Sequence, residues 1–172
     1  MIIENNAKPV LIFTWGNPSR GDDAIGPRIH DLLSKEDLPD VDILTDFQLQ
    51  IEHTVDLENR ERVLFVDASV SAAAPYEFYR LKPAQDDSFT THAMSPASLL
   101  ATYQKAYHKK PPPAFMLSIR GYVFNLGLSI SAEANGNLVE AAAFIRQLMS
   151  ADSSRYWEEL AATQVRDDSH RN

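Results

Sequence analysis

Apolar positions along the chain fall into short continuous runs separated by stretches of longer period. Val10 to Trp15 is a compact apolar run stopped by Gly16-Asn17-Pro18, the pattern of a strand buried on both faces that ends at a turn. Beyond it the period changes. Ile25, Ile29, Leu32 and Leu33 stand at i, i+4, i+7 and i+8, one stripe of a helix. Pro27 is tolerated only in a first turn, so this helix cannot begin much before Asp23. "VDILTDF", Val41 to Phe47, alternates as a second strand, and "EHTVDLENR" reads as a short helix. In "RVLFVDAS" the buried run Val63 to Val66 makes a third strand with Asp67 at its carboxyl end.

The order so far is β-α-β-α-β. "YEFYRLKP" alternates Tyr76, Phe78 and, less cleanly, Leu81, which predicts an added or antiparallel strand. "THAMSPASLLATYQKAYHKK" opens a helix with Ser95 as N-cap, Pro96 at the first helical position, and Leu99, Leu100, Tyr103 and Tyr107 as its stripe. "PPPAFMLSIRGY" is a break followed by the last strand. From about Ser131 a long helical segment turns Leu138, Ala142, Ile145 and Leu148 inward, and the polar residues 164–172 read as a frayed, disordered tail. Repeated alternation of strands and helices is best met by an α/β three-layer sandwich, a mostly parallel, doubly wound sheet flanked by helices on both faces. Residues 1–163 make one such domain, with no internal repeat and no linker.

Composition narrows the chemistry. With 172 residues and a formal charge of −8, the chain holds a single core of ordinary size and no basic patch, so nucleic acid is not an expected partner. It contains no cysteine, which leaves carboxylate, imidazole, hydroxyl and backbone groups to do any chemistry. The opening "MIIENNAKPVLIFTW" does not read as a secretory signal, and no segment approaches the roughly 18 apolar residues of a membrane span. The expectation is a cytoplasmic protein without membrane insertion.

In open α/β sheets ligands sit beyond the carboxyl ends of the strands. Asp22 and Asp23 follow the first strand, Asp67 ends the third, and His92 lies in the loop entering a helix. Converging there, two carboxylates and an imidazole would form a three-ligand site with open positions for a borderline divalent ion such as zinc or nickel. Singly, each has a plainer reading: a helix cap for Asp22 or Asp23, a turn aspartate for Asp67, an ordinary loop histidine for His92. Glu52 and His53 could line the same crevice, yet fit better as the solvated opening of a short helix. Arg20 and Arg120 are candidates for binding a substrate carboxylate, with surface arginines as the plainer reading. The glycine spacing Gly16, Gly21, Gly26 matches neither a dinucleotide nor a phosphate loop, and Ser69 and Ser71 lack a nucleophile-elbow context.

"GNPSRGDDAIGPRI" resembles the signature that opens the nickel-iron hydrogenase maturation proteases, "VLFVDAS" resembles their third-strand segment ending in a functional aspartate, and "HAMSPASLL" their histidine at a helix entrance. The resemblance runs from about Val10 to Met149. It implies a phosphorylase/hydrolase-like fold and an aspartyl-type endopeptidase that removes the C-terminal peptide of a hydrogenase large-subunit precursor. Carried over, Asp23, Asp67 and His92 are the catalytic and metal-contacting residues, and Asp22 shapes and caps the turn. The resemblance further implies that the nickel is carried by the precursor, with no tightly bound cofactor belonging to the enzyme.

Two segments depart from the family pattern. A Gly-Gly-Thr-like loop is replaced by "DFQLQIEH", whose Gln48 and Gln50 are expected to hydrogen-bond substrate, and "RGYVFNLGLSISAEANG" replaces a Gly-x-x-Pro-like segment. Two other readings stay open: a self-contained metallohydrolase holding its own zinc, and a nickel-dependent binding or chaperone module that does not cut.

Overall fold

The computed structural model describes residues 6–85 and 94–168, the stretch 164–168 by its backbone only. Strands β1 (Val10–Trp15), β2 (Val41–Asp46), β3 (Arg62–Ser69), β4 (Tyr76–Arg80) and β5 (Ala114–Arg120) form one sheet in the order β2-β1-β3-β5-β4. The first four places in that order are parallel neighbours, and β4 closes the edge antiparallel to β5. The continuous apolar runs fall on the central strands, which are covered on both faces. The two alternating segments, β2 and β4, are the edges, where one face is less buried.

Helix α1 (Ile25–Leu33) is entered through a 3-10 turn at Gly21–Ala24, so Pro27 does fall in its first turn. Helix α2 (Pro96–Tyr107) starts as its sequence specifies: the Ser95 hydroxyl accepts from the Ser98 amide at 3.1 Å, and Pro96, without an N–H to leave unpaired, occupies the first position. The short helix after β2 is of 3-10 type, Ile51–Leu57.

The carboxyl-terminal segment is two helices rather than one, α3 (Ala132–Met149) and α4 (Ser154–Asp168). Trp157 anchors the second of them. Its side chain is wholly buried against Phe115, ring centroids 5.3 Å apart, and its indole N–H donates to the Leu148 carbonyl at 3.1 Å. The chain breaks at 150–153, where the Ser153 hydroxyl accepts from the Tyr156 amide at 3.4 Å and starts α4.

Two apolar layers result. On one face Ile12, Leu64, Val66 and Leu117 pack under α1, α3 and α4. On the other Leu11, Phe13, Val63, Phe65 and Met116 pack under Leu99, Leu100 and Tyr103 of α2 and Leu57 of the 3-10 helix. Asp67 belongs by alternation to the second face, with Val63 and Phe65. No helix among the described residues is long and apolar enough to cross a membrane.

Candidate functional site

From β1 the sheet grows in opposite directions, to β2 on one side and β3 on the other. The helix that follows β1, α1, covers one face, while β3 runs on into β4 without a helix, so the carboxyl edge between β1 and β3 stays open as a crevice, the usual ligand position in such sheets. Thr14 pairs with Val66, so Trp15 and Asp67 are the next positions outward on the two strands flanking it.

Asp67 is confined between them. Its Oδ1 accepts from the Ala68 amide at 2.8 Å, and the Trp15 indole N–H donates to the same carboxyl. Burial and the nearby negative charge of Asp23 outweigh these donors and push its pKa up to about 8. Asp67 therefore keeps its proton through neutral pH.

Asp23 sits in the 3-10 turn, half-buried, where its Oδ2 accepts from the Asn17 amide at 2.6 Å. This bond closes the loop from β1 back on itself. Gly16, at φ +148°, permits it, since a Cβ there would stand 2.1 Å from the Asp23 carbonyl oxygen.

Asp22 does something the sequence did not suggest. Neither aspartate caps α1, which has no side-chain cap. The Asp22 side chain is completely buried and reaches the segment between β5 and α3. Oδ2 accepts from the amides of Tyr122 (2.7 Å) and Val123 (3.0 Å) and from the Ser131 hydroxyl (2.9 Å), while Oδ1 accepts from the Ser131 amide (2.7 Å). Burial alone would raise its pKa, but these donors together hold it below the ordinary aspartate value. The backbone completes the seam: Gly21 donates to Leu128, Asp22 to Val123, and Gly127 to Ser19. Gly21, at φ +55°, lies so close that a Cβ would meet the Val123 carbonyl at 2.3 Å.

His92 lies outside the described residues. The chain resumes beside the crevice, where the Met94 amide donates to the Leu49 carbonyl at 3.2 Å. Gln48 and Gln50 line a groove of about 260 Å³ together with Ile51, Glu52 and Met94. The two glutamines thus border the same edge of the sheet as Asp23 and Asp67.

His53 is not the solvated residue its position suggested. Its side chain is 13% exposed, its ring meets Phe13 edge-on at 4.5 Å, Nδ1 accepts from the Gln50 amide at 2.8 Å, and Nε2 lies 3.0 Å from Asp46 Oδ2. Because Nδ1 accepts, the ring hydrogen is on Nε2 and is donated to Asp46. Both nitrogens are committed to holding the glutamine loop, which leaves neither for proton transfer. His53→Ala is expected to cost about 1–2 kcal/mol in urea unfolding, because a part-buried amide and a half-exposed carboxylate lose their partner.

Ser69 is likewise engaged locally, accepting from the Ser71 and Ala72 amides. Arg20 is exposed, whereas Arg120 is half-buried at the end of β5. Among the described residues no group of three or more His, Asp or Glu side chains is placed to hold a metal ion. What the described residues bring together is a pair of carboxylates, one fixed beside the turn after β1 and one holding a proton on β3.

Neither a protein-family model nor a curated protein matches the chain. Solved structures do. The maturation protease HycI of Thermococcus kodakarensis KOD1 superposes with a TM-score of 0.66 at 19% identity, over 87% of this chain and 97% of its own. The hydrogenase 2 maturation peptidase of Thaumarchaeota archaeon SCGC_AB-539-E09 gives 0.61 at 26%, over 83% and 99%. The endopeptidase HybD of E. coli gives 0.61 at 22%, over 79% and 88%. The fold is therefore the one these hydrogenase maturation proteases share, in keeping with the resemblance carried by the three sequence motifs.

Proposed function

We propose that this chain, built on the fold of the nickel-iron hydrogenase maturation proteases, is itself such an endopeptidase and removes the C-terminal peptide of a nickel-loaded large-subunit precursor. One observation carries the reading: two carboxylates with different surroundings share the crevice at the switch point, and one of them retains its proton to about pH 8. Unequal carboxylates are what amide hydrolysis needs, a charged one to accept a proton from water and a neutral one to give a proton to the departing nitrogen. In this reading Asp23 is the acceptor and Asp67 the donor.

Nickel enters as part of the substrate, held by the precursor's own ligands. Asp23, Asp67 and His92 are the groups of this chain that meet it, and the metal fixes the scissile bond against the crevice. Its positive charge opposes protonation of Asp67, so docking of a loaded precursor drives that proton toward the reacting amide. A nickel-free precursor supplies neither the tether nor the charge. Gln48 and Gln50 bond the main chain of the segment being cut, from the groove they line. The protein works in the cytoplasm, as an aspartyl-type peptidase in the sense that its acid and base are both aspartates.

Asp23→Asn tests the assignment. Its amide can still brace the turn through one oxygen, so the thermal midpoint is expected to stay within a few degrees of wild type. Processing of loaded precursor is expected to fall about 10²-fold. Undiminished processing by a folded Asp23→Asn protein would remove Asp23 from the mechanism.

A further inference from the structure

Arginines of this chain whose side chains are described mostly meet carboxylates: Arg60 meets Asp42, Arg62 Asp152, Arg80 Glu158, Arg146 Glu36 and Arg155 Glu159. Arg20, Arg28 and Arg120 have no carboxylate partner among the described residues, and of these only Arg120 is not exposed. A half-desolvated guanidinium without a counter-charge is costly, because the water it gave up is not replaced.

Its position is fixed rather than casual. Nη1 donates to the Ala72 carbonyl at 3.1 Å, the guanidinium carbon stands 5.1 Å from the centre of the Tyr122 ring, and Nε is buried without a partner among the described residues. Asn137 in turn ties the Arg120 carbonyl to the Tyr122 hydroxyl through its Nδ2, at 3.1 and 3.2 Å. Arginine stacked and pinned in this way loses little freedom when it binds a carboxylate.

Place in the sheet gives the charge a use. Arg120 pairs with Ser69, and Ser118, two residues earlier, pairs with Asp67. Paired residues of neighbouring strands point to the same face, so Arg120 lies on the face of Asp67, displaced outward by about 7 Å, two residues of extended chain. The carboxylates of Asp23 and Asp46 stand at the same edge of the sheet and by themselves would repel an acidic segment. Resting on the peptidase reading above, we propose that Arg120 is a specificity-determining residue that binds an acidic side chain of the precursor about two residues from the scissile bond.

The test uses the full-length protein and nickel-loaded precursor, with each Asp or Glu within three residues of the cleavage site replaced in turn by Asn or Gln. Arg120→Gln is expected to raise KM about 10–100-fold with kcat within about threefold of wild type, the signature of lost substrate binding, and Arg120→Lys to recover part of the loss. One precursor replacement should cost wild type the same factor and cost Arg120→Gln nothing more. Additive losses, an unchanged KM, or a precursor with no carboxylate within that reach would overturn the proposal.

Binding of the same precursors to Asp67→Asn protein, with and without Arg120→Gln, separates this proposal from the peptidase reading. Arg120-dependent binding without any cleavage by wild type keeps the carboxylate contact and refutes the protease. Cleavage indifferent to Arg120 does the reverse. Arg120→Lys serves where the glutamine variant fails to fold.

Discussion

Asp67→Asn is expected to make the protein more stable and inactive at once. The carboxyl of Asp67 has its pKa raised from 3.8 to about 8, first by burial and then by the charge of Asp23. Between these values the folded state holds a proton that the unfolded chain has released, so wild-type stability falls as pH rises through that window. Below about pH 4 the penalty is absent, and above about pH 8 it is fully present. Asparagine resembles the protonated acid in shape and never ionises, so its advantage grows across the same window, to about 2–5 kcal/mol at pH 9. Urea unfolding of both proteins at pH 4, 6.5 and 9 reads the trend. Curves that run parallel at all three values would mean that Asp67 is not a buried acid. Processing should fall about 10³–10⁴-fold, since an amide cannot donate a proton to a leaving nitrogen as the acid does. Asp67 is thus a place where the fold tolerates a destabilised charge for the sake of chemistry.

Asp22→Ala is expected to do the opposite, with a loss of about 3–5 kcal/mol. Its carboxylate accepts from three backbone amides and one hydroxyl in a site with no access to water, and alanine would leave all four donors unpaired. The seam between the turn carrying Asp23 and the segment 121–131 would open, and amide hydrogen exchange at Tyr122, Val123 and Ser131 should accelerate before global unfolding does. The pH trend is also reversed. A carboxyl whose folded pKa lies below its unfolded value contributes stability above the unfolded value and loses it as pH falls through the folded one. Asp22→Ala should therefore differ most from wild type near neutrality and progressively less in acid. A loss below about 1 kcal/mol at pH 7 would show that the seam is held by its backbone bonds alone.

The strands were legible because a parallel sheet buries both faces of its central members, and "VLIFTW" and "RVLFVDAS" can be little else. Caps at Ser95 and the proline at Pro96 announced α2 by local chemistry that no tertiary contact needed to override. The break between α3 and α4 was missed although Ser153, whose hydroxyl accepts from the Tyr156 amide, marks a new helix start; what was not legible is the cavity that takes Trp157. Asp23 and Asp67 could be singled out because one follows β1 and the other lies near the carboxyl end of β3, at the same edge of the sheet. The role of Asp22 could not, because its partner Ser131 is 109 residues away and nothing in the turn points to it. His53 left a faint signal: three residues after Gln50 and seven after Asp46, it has the spacing to reach back to a helix start and to the end of β2. Gln50-x-x-His53 is a variant of the capping-box pattern with imidazole in place of carboxylate.

The central claim is a nickel-gated cut, and intact-mass spectrometry of a cognate large-subunit precursor tests it most directly. The precursor is incubated with this protein in two forms, one loaded with nickel and verified as loaded, the other nickel-free. The expected result is loss of a single C-terminal peptide from the loaded form and no change in the other. Equal cutting of both forms would contradict the gate and favour a metallohydrolase with its own ion. Stable binding of the loaded form without any loss of mass would contradict the peptidase and leave a binding module.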